Sequence, residues 1–205
     1  MKNYKVKVCG ITDEKNYMDL SRYPIDYFGF IFYNKSPRYV SDDCDFIKDI
    51  SNKIAVFVNE DINQILHIVK EYNFSMIQLH GNESPQYCND LKKMSLRLIK
   101  SFLINNESDF NDINLYSNSV DYFLFDYKSK KYGGSGKSFD WSILNKIKIS
   151  KPFFLSGGIS LENINKIASL YDNGFLHAVD INSKFEKYPG FKDVKLIDKF
   201  YNLNL

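Results

Sequence analysis

Cys9 and Asp126 each close a run of apolar residues, and these two groups set the chemistry open to this chain. Cys9 ends the run Lys5-Val6-Lys7-Val8, so in an extended strand Lys7 and Cys9 share a face. A thiol acts as a base or nucleophile through its thiolate, which a neighbouring cation favours; a lone cysteine serves equally as a small buried hydrophobe. Asp126 ends Tyr122-Phe123-Leu124-Phe125. A carboxyl emerging from an apolar strand suits a general acid, or equally a loop cap. Arg38, in Lys35-Ser36-Pro37-Arg38-Tyr39, carries a fork that matches a carboxylate bidentately, or else remains a solvated loop charge. Ser156-Gly157-Gly158-Ile159 and Asn182-Ser183 can present backbone N–H groups to a phosphate, or simply turn the chain tightly. An inward Lys7 requires a partner, for which Asp180 is the candidate, and such a pair can be purely structural. A base, an acid, a carboxylate clamp and a phosphate cradle imply a substrate with an acidic group at each end and proton transfer between them.

These residues fall at the ends of short β-branched and aromatic runs, expected as strands at 5–9, 27–32, 54–58, 76–80, 96–102, 122–126, 152–156 and 176–181. Helical stripes lie between them: Ile62, Ile65, Leu66 and Val69, then Ile164, Ile167, Ala168 and Tyr171. Eight strand–helix units in succession predict an α/β fold, a single-domain (β/α)₈ barrel over residues 1–205 with trimmed loops. A doubly wound sheet would want a glycine fingerprint after the first strand, where Cys9-Gly10-Ile11-Thr12 has one glycine. Barrel chemistry sits at the carboxyl ends of the strands, and the seventh and eighth loops commonly hold phosphate.

The longest connection, 127–138, ends in Gly136-Lys137-Ser138, but a phosphate-binding P-loop needs glycine where Lys131 stands. It is expected to be a lysine-bearing lid over an anion. The 205 residues suit one domain. With 27 basic and 25 acidic residues the net charge is +2, which points away from nucleic acid. No apolar run approaches the ~20 residues of a membrane span, and the N-terminus lacks a signal-peptide core, so the chain is expected in the cytoplasm. Cys9, Cys44 and Cys88 form no Cys-x-x-Cys pair, which argues against both a disulfide framework and a metal site.

Seven segments in order resemble phosphoribosylanthranilate isomerases: Lys7-Val8-Cys9-Gly10-Ile11-Thr12; Gly29-Phe30-Ile31-Phe32 with Ser36-Pro37-Arg38-Tyr39; Val56-Phe57-Val58-Asn59; Gln78-Leu79-His80-Gly81-Asn82-Glu83; Tyr132-Gly133-Gly134-Ser135-Gly136-Lys137 with Phe139-Asp140-Trp141; Leu155-Ser156-Gly157-Gly158-Ile159 with Glu162-Asn163; and Ala178-Val179-Asp180 with Pro189-Gly190 and Lys192-Asp193. The resemblance implies an Amadori rearrangement of N-(5-phosphoribosyl)anthranilate in tryptophan biosynthesis, without metal or organic cofactor, by a monomer or homodimer. It implies Asp126 as general acid, Cys9 as general base and Arg38 on the anthranilate carboxylate. Backbone amides around Gly157, Gly158 and Ser183 would hold the phosphate, and Gln78, His80, Gly133, Gly134, Asp180 and Asn182 would complete the substrate site. One position departs: Lys184 stands where the family's eighth loop usually has glycine. A positive φ would strain a lysine, so either the amide geometry differs, or the side chain reaches the phosphate or turns outward. The alternatives are another phosphosugar barrel enzyme, such as an indole-glycerol-phosphate synthase or an epimerase, and a phosphate-ligand binding protein without catalysis.

Overall fold

The computed structural model describes residues 4–41, 44–128 and 138–203, without the side chains of 171–173. Eight strands, β1 (Lys5–Cys9), β2 (Tyr27–Ile31), β3 (Lys53–Phe57), β4 (Met76–Leu79), β5 (Arg97–Ile104), β6 (Tyr122–Tyr127), β7 (Phe153–Leu155) and β8 (Leu176–Ile181), pair in parallel in chain order, and β8 returns to β1 to close a barrel. The expected (β/α)₈ barrel is therefore present, with strand boundaries within three residues of those read from the sequence.

The connections are where the chain economises. Among the described residues, α-helices occupy only Glu14–Leu20 (α1), Ile62–Glu71 (α2), Pro85–Lys92 (α3) and Val194–Asn202 (α4). Each is started by a side-chain cap: Asp13, Asp61, Ser84 and Asp193 accept a backbone N–H from the first turn. The other crossovers use 3₁₀ turns. The stripe at 164–171 does not form an α-helix but a 3₁₀-helix, Ile164–Asn173. Among its described side chains the buried ones are Ile164, Ile167 and Leu170, three apart as a three-residue turn demands, and Ala168 faces solvent instead of the core; the side chain of Tyr171 lies outside the described ones.

Outward strand residues pack under the helices, and inward ones fill the barrel in layers. Ile54, Met76, Ile99, Leu124, Phe154 and Ala178 form a separate apolar cluster inside it. Two residues beyond Met76, Leu124 and Ala178 the interior turns polar with Gln78, Asp126 and Asp180, and Lys7 pairs in register with Asp180; Cys9 and His80 lie two residues beyond Lys7 and Gln78. Period-two alternation thus carries these strands from an apolar plug to a polar mouth. A short antiparallel hairpin, β9 (Glu186–Tyr188) and β10 (Phe191–Lys192), folds back beside the mouth after β8 and sets Glu186 opposite Lys192.

Candidate active site

Cys9 is 4% exposed. It pairs with Gly29 on β2, where an added Cβ would come within 2.6 Å of its sulfur and 3.0 Å of its Cα. Only glycine leaves room for the thiol. Gly29→Ala is expected to cost about 1–3 kcal/mol by overpacking and to displace the sulfur; thermal unfolding and turnover measured together check this. One step deeper, Lys7 is fully buried with its Nζ 2.8 Å from Asp180 Oδ2 and 2.6 Å from Gln78 Oε1. Closure of the barrel places β8 next to β1 and pairs Lys7 with Asp180 in register. Burial works against the charge on Lys7, but Asp180 and then Cys9 outweigh it and hold the ammonium above the usual lysine range. Burial likewise pushes the Cys9 thiol up, against the pull of Lys7 and Lys192.

Lys192 and Glu186 were not singled out as site residues by the sequence, yet they hold Asn182 and Arg38, which line the mouth. Lys192 is fully buried, donates to Asn182 Oδ1 at 2.7 Å and to Glu186 Oε1 at 2.6 Å, and is pushed down to about 8, mainly by burial. Glu186 also takes the Arg38 fork: Nε lies 2.9 Å from Oε1 and Nη2 2.7 Å from Oε2. The fork of Arg38 is thus engaged bidentately by one of the protein's own carboxylates. Burial alone would raise the Glu186 pKa; Arg38 and Lys192 reverse that and keep it below the usual glutamate value. The only local signal for this triad was the Pro189-Gly190 turn, since Arg38 and Glu186 stand 148 residues apart.

Asp126 lies on β6, three strands around the ring from β1. Its Oδ1 accepts the Tyr127 N–H at 2.7 Å, and Oδ2 stands 3.4 Å from His80 Nε2. Gly157 follows β7 with φ +87°, and a Cβ there would fall 2.6 Å from the Tyr127 nitrogen and 2.9 Å from Asp126 Oδ1. Gly157 therefore lets the seventh loop close directly against the Asp126 carboxyl group. Gly158 also has positive φ, 65°, and among the described residues neither glycine N–H donates to a backbone carbonyl.

Cys9, Arg38, Gln78, His80, Asp126, Gly157, Gly158, Asp180, Asn182 and Ser183 all line one cavity at the mouth, with an apolar wall of Ile31, Val56, Val58 and Ile159. Gly133 and Gly134, and most of the expected lid, lie outside the described residues. Lys184 lines the same cavity beside Ser183. It sits in the turn Ser183–Phe185 and is not among the described non-glycine residues with positive φ. The strain that a lysine would suffer in a glycine conformation is absent. No helix among the described residues is long and apolar enough to cross a membrane.

A family model described as N-(5'-phosphoribosyl)anthranilate (PRA) isomerase matches residues 6–203. The N-(5'-phosphoribosyl)anthranilate isomerase of Parabacteroides distasonis is 41% identical over 202 residues, covering 95% of this chain and 90% of that protein. The crystal structure of phosphoribosyl anthranilate isomerase from Thermotoga maritima superposes with a TM-score of 0.86 at 33% identity, covering 97% of each chain. A phosphoribosyl anthranilate isomerase in complex with reduced 1-(o-carboxyphenylamino)-1-deoxyribulose 5-phosphate aligns with a TM-score of 0.79 at 30% identity, covering 96% of each chain.

Proposed function

Because the chain belongs to the phosphoribosylanthranilate isomerase family, we propose that it rearranges N-(5-phosphoribosyl)anthranilate to 1-(2-carboxyphenylamino)-1-deoxyribulose 5-phosphate in tryptophan biosynthesis, with Asp126 as general acid and Cys9 as general base. Asp126 gives its proton to the ribose ring oxygen as the bond from that oxygen to C1′ breaks, and the anthranilate nitrogen lone pair forms the Schiff base. Cys9 then removes the C2′ proton, the electrons move to C1′–C2′, and the resulting enolamine tautomerises to the ketone. The observation that carries this reading is that thiol and carboxyl, from strands on different sides of the ring, line one cavity with Arg38 and the Gly157-Gly158 turn.

The same cavity accounts for the two anions of the substrate. Arg38 is held in place through Nε and Nη2 by Glu186; a guanidinium has five N–H groups, and the Nη1 edge is left to take the anthranilate carboxylate. Ile31, Val56 and Val58 would face its aromatic ring. The amides of Gly157, Gly158 and Ser183 would take the phosphate, and Lys184 adds a positive charge at the rim. Lys184→Ala is accordingly expected to raise KM about three- to tenfold with kcat nearly unchanged, the signature of lost uniform binding; an unchanged KM across a range of salt concentrations would show that the side chain turns outward.

The test of the whole reading is the loss of anthranilate-type fluorescence when the protein meets freshly made phosphoribosylanthranilate, corrected for spontaneous breakdown. Rapid decay establishes turnover. A folded sample that gives no decay above background but still binds the reduced product analogue would leave a binding protein without catalysis.

A further inference from the structure

Below the mouth the polar side chains form a row in which each hydrogen bond has a single possible direction. An ammonium only donates. Lys7 Nζ stands 2.6 Å from Gln78, so the Gln78 atom facing it is the carbonyl Oε1. That turns the amide nitrogen toward His80, 2.9 Å from Nδ1. An amide nitrogen also only donates, and Nδ1 is therefore the accepting ring atom. Ser101 Oγ, 2.8 Å from the same nitrogen, can donate to it as well. A neutral imidazole that accepts at Nδ1 carries its hydrogen on Nε2, and Nε2 is the atom 3.4 Å from Asp126 Oδ2.

The geometry points to Gln78 as a positioning residue: anchored by Lys7, it holds His80 in the Nε2–H form, whose N–H faces the Asp126 carboxyl group. The inference rests on Asp126 being the general acid. As the ribose oxygen takes the proton, negative charge develops on Asp126, with the Tyr127 N–H on one oxygen and the His80 N–H facing the other. Donors fixed in advance at the place where charge appears lower the barrier to its appearance. The opposite tautomer would aim a lone pair at that charge. Gln78 is 2% exposed and its amide cannot relay a proton, so it sets direction and carries nothing. It lines the same cavity as His80, and holding the ring's tautomer is a different role from direct substrate binding.

Gln78→Glu keeps the side-chain shape and the acceptor facing Lys7, and replaces the donor at Nδ1 with an oxygen that only accepts. Gln78→Met removes both bonds at similar volume and serves as the second variant. Long-range ¹H–¹⁵N spectra of the ring nitrogens, with His80→Asn identifying the His80 signals against those of His67 and His177, report the tautomer; thermal unfolding confirms that each variant is folded. The expected result is hydrogen on Nε2 in the wild type and on Nδ1 in Gln78→Glu, with kcat reduced about ten- to a hundredfold and KM changed less than about threefold. Gln78→Met should give a mixture of tautomers and a smaller loss of kcat. Hydrogen on Nδ1 in the wild type, or a tautomer that switches while kcat holds, overturns the inference. A wild type that shows Nε2–H but no turnover overturns the acid assignment, and the role of Gln78 with it, while the direction of the row stands; the spectrum and the rate thus separate the two failures.

Discussion

Asp126→Asn is expected to lower turnover of phosphoribosylanthranilate by about 10³- to 10⁴-fold while KM moves little. The amide fills the same space, so the seventh loop at Gly157 still closes over it. It cannot give a proton to the ribose oxygen, and the ring stays shut. The surroundings add a second penalty. The Tyr127 N–H takes one side-chain atom as its acceptor, which leaves the asparagine NH₂ facing the N–H of His80. Two donors then oppose each other where one donor faced a carboxyl oxygen. Steady-state fluorescence decay measures the loss. Because ring opening precedes proton abstraction, the variant should also fail to exchange the C2′ hydrogen with solvent deuterium. Exchange at the wild-type rate would remove Asp126 from the first step.

Cys9→Ala is expected to lose about 10²- to 10⁴-fold in kcat, the usual contribution of a positioned general base, for a stability cost of only about 1 kcal/mol. The thiol is confined by Gly29 on one side and has Lys7 and Lys192 as its cationic neighbours. Burial nevertheless outweighs both lysines and holds the thiol above its ordinary value. The sign of the pH dependence follows. A raised thiol pKa makes the thiolate a minority at neutral pH, so the rate of a reaction that needs it climbs with pH and keeps climbing beyond the range where an unperturbed cysteine would already be ionised. The wild-type profile of kcat/KM should show that rising limb, and Cys9→Ala should lose it. A flat wild-type profile, or a variant that retains the limb, would assign the base elsewhere. The pair of variants also separates the two steps, because Cys9→Ala leaves ring opening intact and blocks only the abstraction at C2′.

Much of this arrangement was open to inspection in the chain itself. The run 54–58 reads as a buried strand because its apolar side chains suit both faces of a parallel sheet, and β3 lies there, one residue displaced. The stripe Ile62, Ile65, Leu66 and Val69 gives α2, its start fixed by the Asp61 cap. Lys7 and Asp180, 173 residues apart, could be paired on paper because an eight-strand barrel must set its last strand beside its first. The stripe after Ile164 is the exception: apolar residues at three- and four-residue spacing fit an α-helix and a 3₁₀-helix alike, and the tighter turn, packed against the turn Trp141–Asn145 and β8, buries Leu170 and exposes Ala168.

By itself, then, the sequence determined the strands, their order and which polar side chains stand at their carboxyl ends, since these depend on period-two patterning and on a topology with one way to close. Only the tertiary structure decided what those side chains face. Glu186 rather than solvent meets Arg38, Lys192 enters from the hairpin to stand near Cys9, and Lys184 takes the glycine position without a glycine backbone. The direction of the row from Lys7 to His80 belongs to the same class. Ion pairs and donor directions are set by through-space distance and by the water excluded around them, and neither quantity is written in the local order of residues.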